Sequence, residues 1–138
     1  MLPKEHGAYG QIAFPILTAF LVAGVSTGGL LIATAVIAGF LAHEPAAILL
    51  GIRGTRAQRE WWSHAALWLG CTLVVVVAAG AGALFLVDVA KRWSLLVPLA
   101  PTLLLAISTA CGRDKSLEGE VAASLAFSGA AMPIALAA

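Results

Sequence analysis

The sequence predicts an all-α, multi-pass transmembrane helical bundle with about five spanning helices. Three observations lead there. Of the 138 residues, 61% are hydrophobic and only 11% charged, where soluble domains carry roughly 45–50% apolar and about 25% charged residues. The mean hydropathy is +0.98. Apolar stretches of about 20 residues, the length that crosses a bilayer, recur five times and leave room for one compact unit over residues 1–138. A core this small cannot hide so much apolar surface, which excludes a water-soluble globular domain. A net charge of +1 excludes a nucleic-acid partner and a disordered chain.

The spans follow from the apolar runs and their breaks. The first runs from Gln11 to Val25 and can begin a turn earlier, at Gly7. Ser26, Thr27, Gly28 and Gly29 combine helix-breaking residues and predict a turn. The second span runs from Leu30 to Leu50 and the third from Ser63 to Val87. The third holds the run Leu73 to Val77, rich in β-branched residues, yet lipid demands backbone hydrogen bonds satisfied within the segment, so helix is predicted. The fourth runs from Ser94 to Ala110, with Pro98 and Pro101 in its first turns, and the fifth from Glu120 to Ala137. These spans are too long and too little alternating for a β-barrel. Met1 to Gly10 lacks the apolar run of a signal peptide. Because no polar anchor follows the fifth span, the chain is expected to be a fragment or half of a larger bundle. Cys71 and Cys111 show no paired spacing and are expected as small buried residues.

Charge sets the orientation. With five spans, one side carries Lys4, Arg53, Arg56, Arg59, Arg113 and Lys115, and the other only Lys91 and Arg92. The positive-inside rule then places the N-terminus and the rest of the first side in the cytoplasm. Trp61 and Trp62 mark that boundary and Trp93 the opposite one.

The polar clusters fall on the same side: PKEHGAYGQ before the first span, His43-Glu44-Pro45 within the second, RGTRAQRE after it, and RDKSLEGE entering the fifth. Glu44 lies seven residues before Gly51, about 10 Å inside the helix end. A carboxylate there costs about 2.5–3.5 kcal/mol on insertion scales. It is either a protonated or Arg-paired structural group, or a ligand or metal contact in a polar cavity. His43 points about 100° away on a helix, so it shares a metal with Glu44 only if Pro45 distorts the turn. Ala35, Gly39, His43 and Ala47 share a stripe that reads as a helix contact, across which His43 would hydrogen-bond. Arg53, Arg56 and Arg59 read either as a cradle for an anionic head group or as topology and lipid anchors. Glu118 and Glu120 suit a helix first turn, and Glu120, Ser124 and Ser128 form a polar stripe by i, i+4 spacing. His64 reads as interfacial. Haem on two of His6, His43 and His64 is disfavoured, since no CxxCH is present.

PKEHGAYGQ, the HEP triplet, GIRGTRAQRE and SLEGE together resemble the YwiC-like family of bacterial membrane proteins over nearly the whole chain. A looser likeness joins the chain to the UbiA-type prenyltransferases, which hold Mg²⁺ and a prenyl diphosphate with acidic motifs near the cytoplasmic end of the second helix. That likeness implies Mg²⁺ on Glu44, Glu5 and Glu120, with His43-Glu44 and the Arg53 to Arg59 segment at the matching positions. The chain departs from the pattern: it has no NDxxD, and its only aspartates are Asp88 and Asp114.

Two functions follow. In the first, a cytoplasm-facing intramembrane site binds an amphipathic anion such as an isoprenoid diphosphate. Glu44 takes a divalent ion, Arg53, Arg56 and Arg59 steady the anion, and His43 or His6 donates a hydrogen bond or acts as base. In the second, the chain is a non-catalytic subunit, a homo-oligomer or one partner of a larger membrane complex, packed through Gly39, Ala47, Gly80 and Gly82. A transporter is disfavoured, since no inverted repeat is visible.

Overall fold

The computed structural model describes residues 6–111 and 117–138, and every regular element among them is helical. In order these are α1 (His6–Ala23), α2 (Thr27–Leu49), α3 (Thr55–Leu86), a 3-10 segment (Val89–Leu95), α4 (Leu96–Ala110), α5 (Leu117–Gly129) and α6 (Ala131–Leu136). Among the described residues four stretches are long and apolar enough to cross a membrane: Thr27–Leu49, Thr55–Leu86, Val89–Ala110 and Gly119–Leu136. The apolar part of α1, Tyr9–Ala23, is shorter.

Local chemistry moves several boundaries from where hydropathy puts them. Gly24, at φ +89°, makes the turn after α1, and Ser26 caps α2 by accepting the Gly29 amide at 3.0 Å. Gly28 and Gly29 therefore belong to the first turn of α2 rather than to a loop. A Cβ on Gly28 would lie 3.3 Å from the Ala137 Cβ, and one on Gly29 3.2 Å from the Ile134 carbonyl oxygen. These glycines let the α6 region approach the start of α2.

The RGTRAQRE segment is mostly helix, because α3 begins at Thr55, eight residues before the apolar run at Ser63. The fourth span opens as a 3-10 segment and becomes α-helical only at Leu96. The fifth breaks between α5 and α6, near Pro133, whose ring nitrogen carries no hydrogen to donate.

The elements form two antiparallel hairpins. The α2–α3 pair makes the most extensive helix contact and α4–α5 the next; α1 and α6 pack together, and α6 also touches α2 and the 3-10 segment. The interior is made of small residues: Ala38, Ala42 and Ala47 on α2 are buried, as are Ala65, Thr72, Ala79 and Ala83 on α3. Ala65, Thr72 and Ala79 recur every seven residues, the period that keeps a seam facing its partner helix. Large apolar side chains point outward, among them Phe14, Leu21 and Phe85, the last 85% exposed. In water this inversion would be ruinous; in lipid, helices associate through close backbone packing of small residues. A mixed cluster of Ile12, Ile16, Ile32, Val87, Phe127 and Ile134 closes the bundle. Tyr9, Phe40 and Phe127 form an edge-to-face chain, with ring centroids 5.4 and 5.6 Å apart, that ties α1, α2 and α5 together.

Candidate functional site

The turn between α2 and α3 places the sharpest sequence signal. Gly51, at φ +75°, follows the last turn of α2. Its amide bonds the Ile48 carbonyl at 3.0 Å, and the Ile52 amide bonds the Ala47 carbonyl at 3.0 Å. This Schellman pair satisfies the helix-end carbonyls and reverses the chain. Gln58 Nε2 adds a 2.7 Å bond to the Leu49 carbonyl. The reversal returns Arg53 to α2, where it forks onto Glu44: Nε to Oε1 at 3.2 Å and Nη2 to Oε2 at 2.8 Å. Both side chains are 23% exposed. Of the alternatives the sequence left open for Glu44, this geometry is the Arg-paired one, and the pair clasps the hairpin at its tip.

The other two arginines of the row stand apart. Arg56 bonds Glu60 at 2.9 Å, one turn further along α3, with its side chain 90% exposed. Arg59 is exposed as well. His64 is exposed and meets Trp61 edge-on at 6.0 Å. Glu5 lies outside the described residues, as do Lys4, Arg113 and Lys115, and of His6 only its backbone at the start of α1 is described.

His43 faces away from Glu44, as the turn of a helix requires. Its Nε2 lies 3.2 Å from Thr109 Oγ1 on α4, and the Thr109 hydroxyl donates to the Leu105 carbonyl at 2.9 Å. A hydroxyl has one proton, and Thr109 gives it to Leu105, so His43 Nε2 is the donor in this pair. This bond joins the two hairpins at the end of the bundle that carries Arg53.

Between the hairpins lies a cavity of about 1200 Å³. One wall is α2 from Ile32 to His43 with the outer half of α3; the other is the 3-10 segment, α4 and α5. The middle is apolar. His43, Glu120 and Gln11 line it toward the Arg53 end, Thr102 and Ser124 farther in, and Arg92 at the opposite end. Ser124 Oγ is occupied by the Glu120 carbonyl at 2.9 Å.

Along the small-residue stripe read as a helix contact, His43 bonds across to α4 and Ala47 is buried as expected, while Ala35 and Gly39 have a different role. Ala35, Gly39 and His43 line the cavity, as does Gly80 on α3. A Cβ on Gly39 or Gly80 would meet nothing within 4 Å. Ala47 is fully buried, and a Cβ on Gly82 would lie 3.0 Å from Leu31 Cδ1 across the α2–α3 seam. Both cysteines, expected as buried, are free thiols exposed on the outer surface of the chain.

Among the described residues, no three His, Cys, Asp or Glu side chains gather to hold a metal. Mg²⁺ takes an octahedron of hard oxygens, and both Glu44 oxygens are engaged by Arg53, while Glu120 is exposed on α5. By themselves the described residues do not supply that oxygen set.

Arg92 and Thr109 were not singled out as site residues from sequence, and Gln11 entered only as the last residue of the PKEHGAYGQ cluster. Thr109 looked like an ordinary hydroxyl in an apolar span. Arg92 did carry a signal, because it is one of only two cations on its side of the bundle.

Fold and cavity together define a polytopic α-helical membrane protein with a ligand-sized space between two helical hairpins. The chain belongs to the YwiC-like family, whose model matches residues 2–135. No curated protein and no solved structure matches it.

Proposed function

We propose that this protein binds a long-chain amphiphile within a bacterial inner membrane, in the cavity between the α2–α3 and α4–α5 hairpins, with the Arg53 end toward the cytoplasm. The cavity carries this reading. Its volume of about 1200 Å³ exceeds the range of about 300–1,000 Å³ that ordinary ligand pockets occupy. From Ile32 to His43 its wall is about 16 Å long, at 1.5 Å per helical residue. Apolar walls of that length suit an acyl or isoprenyl chain, the class that an isoprenoid diphosphate exemplifies. The polar residues at either end suit a head group. His43, which lines the cavity, offers a polar contact at the cytoplasmic end. The six-to-two distribution of cations supports the orientation.

The test uses a photoreactive hexadecanol carrying a diazirine on its chain, added to the purified full chain. Labelled peptides should come from the cavity faces of α2, α4 and α5. In the double variant Gly39→Leu, Gly80→Leu, whose new side chains fill open space, that labelling should fall severalfold while the protein melts no lower. Labelling concentrated on outward residues such as Phe14, Leu21 and Phe85, and indifferent to the double variant, would contradict the reading.

A further inference from the structure

The two ends of the cavity differ in the state of their arginines, and the difference points to the ligand's head group. Arg53 is forked onto Glu44 and Arg56 is bonded to Glu60; neither lines the cavity. Arg92 does line it, half-buried, at the opposite end. Its Nε donates to the Val87 carbonyl at 3.1 Å, which fixes the plane of the guanidinium against its own chain. Among the described residues neither Nη group has a partner, and no carboxylate forms an ion pair with Arg92. The segment that carries it is held firmly, since the fully buried Ser94 donates to the Lys91 carbonyl at 2.7 Å.

Among the described residues no carboxylate pairs with this cation beside its apolar space, so a ligand anion would be favoured there. The positive-inside tendency sharpens the point, because cations are disfavoured on the side where Lys91 and Arg92 stand. Two free N–H edges in a fixed plane match the paired oxygens of a phosphate. From that end the walls run inward through Leu84, Leu95 and Leu96, all apolar.

We infer that the amphiphile is a lipid-borne phosphate, seated with its phosphate on Arg92 at the outward mouth and its chain running along the cavity toward His43. This rests on the binding reading above and adds the chemistry and direction of the ligand. The head group is thereby placed at the end opposite the Arg53, Arg56 and Arg59 row.

The experiment compares two probes on the full-length protein, diazirine-bearing hexadecyl phosphate and the matching hexadecanol, with inorganic phosphate as competitor. Hexadecyl phosphate should half-saturate cavity labelling at a concentration about tenfold lower than the alcohol, as a charge-assisted fork gives. Arg92→Gln should abolish that preference and leave alcohol labelling in place, which also shows that the variant is folded. Arg92→Lys should keep part of it, and His43→Gln all of it. Millimolar inorganic phosphate should not compete. The inference is overturned if the preference survives Arg92→Gln, if it is lost instead in Arg56→Gln or Arg59→Gln, or if inorganic phosphate displaces the probe in full, the mark of a free-anion site. Labelling of the cavity by the alcohol, with no preference for the phosphate, would sink the head-group assignment alone. Labelling of the cavity by neither probe would sink the binding reading with it.

Discussion

The two hairpins of this bundle are built from similar residues and packed to opposite effect. In α2–α3, Ala38, Ala42, Ala65 and Ala79 close a seam so tight that a Cβ on Gly82 would lie 3.0 Å from Leu31, and the Glu44–Arg53 fork fastens the tip. Across from it, α4–α5 stands away and leaves about 1200 Å³. The two hairpins are joined at one end by His43 and Thr109 and further in by Phe40 and Phe127. Small residues thus serve as adhesive on one face of α2 and as vacant wall on the adjacent face. Ala38 and Gly39 are neighbours in sequence and lie on the two sides of that divide.

Enlarging the seam should break the comparison hardest. Ala65→Leu introduces bulk where exposure is 0% and should destabilise by about 1–3 kcal/mol through overpacking, read as the shift in thermal unfolding of the purified protein. Next comes the fork. Glu44→Ala leaves Arg53 half-buried without its carboxylate and should lose about 1–3 kcal/mol. A double-mutant cycle with Arg53→Ala should show that most of this loss is coupling between the two; additive losses would mean that the fork does not clasp the hairpin. A smaller effect is expected at the turn. Gly51→Ala forces a side chain into φ +75° and should lose about 1–2 kcal/mol. The smallest belongs to the exposed pair: Arg56→Ala should leave the melting temperature unchanged, because a solvated i, i+4 pair contributes little.

Much of the fold was legible in the sequence because lipid imposes a length and composition that hydropathy reads directly. The all-helical class and the apolar spans follow from that constraint. The misplaced boundaries lie where polar chemistry, invisible to hydropathy, sets the helix end. Ser26 draws Gly28 and Gly29 into α2, and α3 extends through a charged segment that looked like a loop. The site was half legible. Glu44 and His43 announced themselves as polar groups at depth, and the 100° between them foretold that they would part. The pairing of Glu44 with Arg53 depends on a glycine-built reversal that brings residues nine apart into contact. Whether a glycine abuts a neighbour or faces a void depends on where another hairpin stands, and no local pattern encodes that. Arg92 escaped notice for the same reason: its place at the cavity mouth comes from the fold rather than from its neighbours in sequence.

The account stands or falls on the vacancy beside the seam, and two adjacent residues of α3 report on it together. Ala79 is buried against α2, while a Cβ on Gly80 would meet open space. Thermal unfolding of Ala79→Leu and Gly80→Leu, measured side by side, should show a marked loss for the first and none, or a gain, for the second, since leucine also favours helix over glycine. Equal losses in the two variants would mean that both faces are packed and that there is no cavity for a ligand to enter.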